Sequence, residues 1–340
     1  MITYQDAGVN IDAGNQVVHR IKNHVQKTFS SQVIGGFGGF GGCYDLSEIA
    51  RNYVSPIMIQ SIDGVGTKTI IARMAGKYDT LGQDLLSACS NDILVLGAKT
   101  ITMLDYIAND KLDPIFVEEF VKGLSQACCE HGVSLLGGET AEMPDIYLPG
   151  EHDLVGVVTG VVEKNQIIDG TNIKVGDFVF GLASNGLNTN GFSLARKLIF
   201  DVGKYKINQI VPELNETVAE ALLIPHVNYA KPVHALLRAG IIPHGMAHIT
   251  GGGLLENIPR ILPQDCCVEI QCDSWPVPPI FELLKSLGQL PQEEAFRTLN
   301  MGIGWVLIVS GSQVSALKGQ IPDAYQIGQV VSGKREVRLV

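Results

Sequence analysis

The chain lacks any apolar run long enough to span a bilayer. Its opening, MITYQDAGVNIDAGNQ, has no basic segment leading into an apolar one; a cytosolic protein is therefore expected, with no membrane partner. Paired cysteine spacing is missing as well. The seven cysteines include two adjacent pairs, Cys128 with Cys129 and Cys266 with Cys267, but no C-x-x-C, which argues against a disulfide framework or a zinc site and for buried thiols. Positive charge is in deficit: 25 Lys and Arg stand against 35 Asp and Glu, a net charge of −10. Nucleic acid is thus not expected as the main partner, although small anions remain open to backbone amides and a metal. There is no short repeat, and no low-complexity tract beyond one glycine-rich stretch. What is present is 46% hydrophobic residues over 340 positions, enough for a sizeable core and for two domains.

Periodicity predicts a helix over 17–28, strands over 56–62, 100–108, 133–136 and 154–162, and a helix over 117–131. The polar, turn-rich segment EKNQIIDGTNIKVGD places a domain boundary near mid-chain, giving domains 1–168 and 169–340. Beyond it, strands are predicted over 178–183, 268–271, 304–309 and 325–331. Helices are predicted over 192–201, 227–239, 254–261 and 279–287. The expected fold class is mixed α/β, or α+β, in two domains.

The stretch GGFGGFGG satisfies G-x-G-x-x-G through Gly36, Gly38 and Gly41. A dinucleotide turn needs a buried strand entering and a helix leaving. Here only Val33 and Ile34 precede the glycines, and two phenylalanines crowd the turn. A loop that orders over a ligand fits better, because so many glycines carry a high ordering cost.

A second stretch, QSIDGVGTK, ends an apolar strand in Asp63, with Gly64 and Gly66 behind it and Lys68 further on. It is not the G-x-x-x-x-G-K-S/T phosphate loop. A strand-end carboxylate beside small residues suits Mg²⁺, which takes one or two carboxylates together with phosphate oxygens. Asn91 and Asp92 follow the small residues SACS and are read as a helix end. Asp105 sits inside the apolar ITMLDYIA, where an ionised carboxylate is costly unless paired. LLGGETAEMP repeats the pattern of Asp63, placing Glu139 and Thr140 after a glycine pair, with one of Glu139 and Glu142 read as structural. Acids at strand ends, without His or Cys ligand spacing, point to hard Mg²⁺ and phosphate chemistry.

In the second half, ASNGLNTNG joins a strand to a helix pattern, so that Ser184, Asn185, Asn190 and Gly191 can offer donors to a phosphate. AHITGGGLLENIPR repeats this with Thr250 and Gly251 to Gly253 ahead of a helix. His248 beside it is either a core histidine or a proton carrier.

In order, YQDAGVNIDAG, GGFGG, DGVGTK, NDI, GGETAEMP, GVVE, NGFSLARK, AHITGGGLLENIPR, PPIF and RTLNMGIG resemble the phosphoribosylformylglycinamidine cyclo-ligase family over essentially the whole chain. The resemblance implies ATP-dependent closure of formylglycinamidine ribonucleotide to aminoimidazole ribonucleotide, in a two-domain fold that forms a homodimer through N-terminal-half strands. It implies ATP contacts from Lys22, from Gly38 and Gly39 of the glycine loop, and from Asp63, Gly64, Thr67 and Lys68. Asn91 with Asp92, and Gly137, Gly138, Glu139 and Thr140, complete that set. Mg²⁺ is expected on Asp63, Asp92 and Glu139, electrostatic help from Lys68, and proton transfer from Asp105 or His248. Substrate phosphate is expected on Ser184, Asn185, Gly186, Asn190, Gly191, Thr250, Gly251, Gly252 and Gly253. The chain departs from the common family pattern at Asn188, where a histidine is frequent, and at Val227, where an arginine often follows a Pro-Thr pair. Leu96 and Lys99 with Thr100 also replace the usual Gln and Glu-Pro. Selenophosphate synthetase and thiamine-monophosphate kinase are rival readings; the first gains from Cys43 after the glycine loop. Hydrogenase maturation factors, as non-catalytic scaffolds, end in a modified cysteine, whereas this chain ends REVRLV.

Overall fold

The computed structural model describes residues 2–4 and 7–340. The chain forms two compact units, Met1–Ile93 with Ala98–Asn165, and Leu94–Gly97 with Gln166–Val340.

The first unit opens with α1 (Ile11–Gln26), whose first turn is capped by Asn10 Oδ1 accepting from the Ala13 N–H at 3.1 Å. The cap sets the start six residues earlier than the apolar spacing alone predicts. A short antiparallel pair, β1 (Val33–Ile34) and β2 (Cys43–Tyr44), follows. The glycine stretch is the tip of this hairpin. It is not a strand-to-helix turn, as the rejected dinucleotide match would require. Next come α2 (Ser47–Asn52), β3 (Pro56–Gly64), α3 (Lys68–Ala75), α4 (Leu81–Leu94), β4 (Lys99–Asn109), α5 (Pro114–His131), β5 (Ser134–Glu142) and β6 (His152–Glu163). Asp113 caps α5, Pro114 occupies its first position, and Gly132 at φ 67° ends it. Where α4 meets α5 there is no room for a Cβ: one added at Gly82 would overlap the Leu124 backbone, and one at Gly123 the Asp79 carbonyl.

The sheet runs β3-β6-β4-β5, with β4 and β5 parallel and the other pairs antiparallel. Its two faces differ. Leu154 and Val158 of β6 and Met103 and Ile107 of β4 are buried beneath helices. The other face shows Met58, Ile62 and Leu104, exposed by 65%, 66% and 47%.

The second unit contains β7 (Phe178–Ala183), α6 (Phe192–Arg196) continued by a π-helical turn to Val202, β8 (Ile210–Val211), β9 (Glu216–Thr217), α7 (Val218–Leu223), α8 (Ala230–Arg238) and β10 (Gly245–His248). It continues through α9 (Gly253–Asn257), β11 (Cys266–Ile270), α10 (Pro279–Gly288), α11 (Gln292–Thr298), β12 (Ile303–Val309), α12 (Val314–Gln320), β13 (Tyr325–Ser332) and β14 (Glu336–Leu339). Its six-stranded sheet is ordered β10-β12-β7-β13-β11-β14. Every residue of β12 is buried, and Trp305, Phe180, Leu307, Val233 and Leu236 share the core, which is why this strand reads as an unbroken apolar run. Among the described residues no helix is long and apolar enough to cross a membrane.

Candidate active site

Strand register builds the acidic site. Asp63 of β3 lies opposite Gly156 of β6, Gly156 lies opposite Asp105 of β4, and Asp105 lies opposite Gly138 of β5. Acid and glycine thus alternate across four strands on the helix-covered face. A Cβ at Gly138 would fall on the Asp105 carboxyl group, and one at Gly156 would meet Met103, Leu85 and Cys89. The glycines therefore clear space for side chains from neighbouring strands and from α4.

Helix α4 brings the second acid. Asp92 accepts a hydrogen bond from Ser61 Oγ at 3.0 Å, and Ser61 is two residues from Asp63 on the same face of β3. Cys89, one turn earlier on α4, sends its Sγ to the Gly156 carbonyl at 3.3 Å and lies 3.8 Å from that of Asp63. Burial, then the charge of Asp63, with a smaller contribution from Asp92, pushes its thiol up to about 12; it stays protonated and inert. The Asp63 carboxylate accepts the Gly64 N–H at 2.7 Å. Asn91, fully buried, belongs to the same last turns of α4.

Glu139 is not part of this group. It pairs in register with Tyr106, so it stands on the opposite, open face of the sheet and is exposed. Among the described residues no three His, Cys, Asp or Glu side chains are grouped to hold a metal. Strand alternation puts Glu139 on the opposite face of the sheet from Asp63, while Ser61 ties Asp92 to the strand that carries Asp63. Glu142, by contrast, is structural. Its carboxylate accepts the Asn10 N–H at 2.5 Å and the Leu112 N–H at 2.9 Å, tying the starts of α1 and α5 to the end of β5.

Lys68 lies in a buried ion pair. Its ammonium is fully buried and bonded to Asp84 Oδ1 at 2.9 Å, both side chains 0% exposed. Burial lowers its pKa, and Asp84 works against that shift. The ion pair joins α3 to α4. Thr67 is the half-buried residue just ahead of α3, Lys22 is exposed on α1, and Gly38 and Gly39 are exposed at the hairpin tip. Gly64 ends β3, and Gly137 and Thr140 lie within β5, all three partly buried. Asp105 is half-buried, and burial raises its carboxyl to about 7, with a bond from its own backbone N–H pulling the other way.

In the second unit the two loops meet. Asn190 Oδ1 accepts the Gly251 N–H at 3.0 Å, joining the 184–191 loop to the 250–253 loop. The Asn257 amide donates to the carbonyls of Thr250, Gly251 and Gly253, at 2.9 Å for the last. Gly252 and Gly253 adopt φ of 99° and 56°, and a Cβ at Gly253 would strike the Phe296 carbonyl. Two expected donors are already engaged: the Ser184 N–H donates to the Gly302 carbonyl at 2.9 Å, and the Gly251 N–H to Asn190. Asn185 is exposed, Gly186 buried and Gly191 half-buried.

Asn300 organises the first loop. Its Oδ1 accepts from Ser184 Oγ and the Gly302 N–H, each at 2.8 Å, and its Nδ2 donates to the Gly186 carbonyl at 2.8 Å. Its only sequence signal was its place in RTLNMGIG. His226 was missed altogether; its Nε2 lies 3.1 Å from His248 Nε2, and both rings are buried. Asn188 is buried at φ 60°, beside Tyr229.

Comparison with known proteins first gives the class. Residues 53–162 match the AIR synthase related protein N-terminal domain, and residues 174–340 match the C-terminal domain of the same proteins. Thiamine-monophosphate kinase from Stenotrophomonas maltophilia shares the fold at a TM-score of 0.68 and 17% identity, over 95% of each chain. A hydrogenase maturation protein HypE, solved in complex with ATP, does so at 0.66 and 15%, over 94% of this chain and 90% of that one. Among sequences, the phosphoribosylformylglycinamidine cyclo-ligase of Carboxydothermus hydrogenoformans is 46% identical, covering 99% of this chain and 98% of that protein. Those of Syntrophotalea carbinolica and Geobacter sulfurreducens are 48% and 47% identical, covering 98% and 99% of this chain and 96% and 98% of theirs. The chain belongs to the phosphoribosylformylglycinamidine cyclo-ligase family.

Proposed function

We propose that this protein closes the imidazole ring of aminoimidazole ribonucleotide from formylglycinamidine ribonucleotide, consuming ATP and releasing ADP and phosphate, as a step of purine synthesis in the cytosol. The observation that carries this reading is the 46–48% identity to cyclo-ligases over nearly the whole chain. An amide oxygen is a poor leaving group. Transfer of the γ-phosphoryl group to the formyl oxygen forms an O–P bond and releases ADP. The amidine nitrogen then attacks the formyl carbon, gives up a proton, and the C–O bond breaks to release phosphate.

The first unit is assigned to the nucleotide and the second to the substrate phosphate. Asp63 and Asp92 supply two hard oxygen donors around Cys89, which suits Mg²⁺ completed by phosphate oxygens. The magnesium they would hold neutralises charge on the transferring phosphate. Asp105, with a carboxyl poised near neutrality, is a candidate for the ring-closing proton. The clasped loops around Asn190 and Gly251 are assigned to the ribose phosphate, with Thr250 and Gly252 at their centre. A homodimer is supported by the open sheet face bearing Met58, Ile62 and Leu104, since contiguous exposed apolar surface marks an interface. The test is ADP release with and without formylglycinamidine ribonucleotide. Release that depends on the ribonucleotide, with stoichiometric aminoimidazole ribonucleotide, is the expected result; equal release in both cases overturns it.

A further inference from the structure

Behind the loop clasp lies a buried pair of imidazoles. His248 ends β10 immediately before the 250–253 loop, and His226 precedes α8; they are 5% and 3% exposed. Their Nε2 atoms are 3.1 Å apart, with ring centroids 5.1 Å apart and planes tilted by 36°. Two ring nitrogens at that distance share one proton: one ring donates N–H, and the other offers its lone pair. If both rings are neutral, the donor ring has a bare Nδ1 and the acceptor ring carries its proton on Nδ1. Each tautomer thereby dictates the other, and the contact survives one positive charge but not two.

The pair also connects the two loops. His226 Nδ1 meets Thr189 Oγ1 at 3.3 Å, and a hydroxyl suits either protonation state of that nitrogen. Thr189 precedes Asn190, the residue that clasps Gly251. A path therefore runs from the first loop through Thr189, His226 and His248 to the strand that feeds the second. Also facing the pair are Trp305 of β12, whose ring centroid is 6.2 Å from that of His248, and Tyr229, 5.5 Å from Trp305. Burial raises the Tyr229 phenol well above its ordinary range, and its hydroxyl donates to the Ala183 carbonyl at 2.9 Å. It stays neutral and brings no charge to the imidazoles.

We infer that His226 is a positioning residue that fixes the ring and tautomer of His248 and, through Thr189, holds the two loops in register for the substrate. This rests on the assignment of those loops to the ribonucleotide. The consequence is a bond between two ring nitrogens that ties the tautomer of one imidazole to that of the other.

The test is nitrogen NMR of the histidine rings, which reads tautomer and coupling across an N–H···N bond, together with steady-state kinetics. In the unmodified protein, the signals of His226 and His248 should be coupled across the Nε2···Nε2 bond, with one ring protonated on Nε2 and the other on Nδ1. In His226→Phe the His248 ring should lose that coupling and its fixed tautomer. The value of kcat/KM for formylglycinamidine ribonucleotide should fall roughly tenfold or more, with KM for ATP within about twofold. His226→Gln, whose amide can restore the hydrogen bond, should recover most of the loss. Absence of coupling between the two rings in the unmodified protein overturns the inference, and this result needs no variant to fold. An unchanged His248 tautomer in His226→Phe overturns it equally. Coupled rings without ribonucleotide-dependent ADP release would leave the coupling standing and remove the functional reading beneath it.

Discussion

At the scale of single residues, the acids of the first unit should separate by role. Replacing Asp63 with Asn is expected to lower turnover by on the order of 10²-fold or more, on the proposal that its charge faces phosphate and a metal. Melting should shift by no more than about 2 °C, since Asp63 is half-buried and its bond to Gly64 is local. Asp105 should behave differently. Its folded carboxyl is raised to about 7, so the folded state holds the proton more tightly than the unfolded chain, whose value is near 3.9. The slope of stability with pH is therefore negative across that interval: the contribution is complete in acid, falls as pH rises from about 4 to about 7, and is flat above. Asp105→Asn should melt higher than the unmodified protein at pH 8, and the gap should close toward pH 4 in a series of thermal melts. Cys43 is exposed next to the glycine hairpin; Cys43→Ala should retain full ring closure, whereas loss of activity would revive the selenophosphate synthetase reading.

Between elements, the buried Lys68 and Asp84 pair is the sharpest case. Removing one partner strands the other charge, so Lys68→Met should cost about 3–5 kcal/mol in chemical denaturation, and Lys68→Met with Asp84→Leu should recover most of it. That pair was not legible, because sequence spacing says nothing about α4 folding back over α3. Strands β3, β4, β6 and β12 were legible as apolar runs, β12 because it is buried throughout, and those of the first sheet because apolar side chains such as Met58, Ile62 and Leu104 also occupy its open face. Helix α4 was read only at its end: Ser87, Cys89 and Ser90 are buried small residues that pack closely against the sheet and show no helical stripe. Strand β5 extends through GGET, beyond the apolar residues that announced it. In the site, the identity of the acids was legible from glycines beside strand ends. Their convergence was not, because a one-residue difference in strand phase sends Glu139 away from Asp63. The link between the two loops through Asn190 depended on contacts between segments 61 residues apart.

For the whole molecule, the open face of the first sheet makes the oligomer testable. Ile62→Asp places a charge in the middle of that face beside Val157, and sedimentation should show a dimer dissociating at micromolar concentration while the monomer keeps its secondary structure. A monomeric unmodified protein would remove the dimer from the proposal. The row of alternating acids and glycines has a consequence for how the sequence can drift. Saturation mutagenesis scored by soluble expression should spare Asp63 and Asp105 when they become their amides, yet reject nearly every replacement at Gly138, whose Cβ would meet the Asp105 carboxyl group and backbone, so a chemically silent position is less replaceable than the acids beside it.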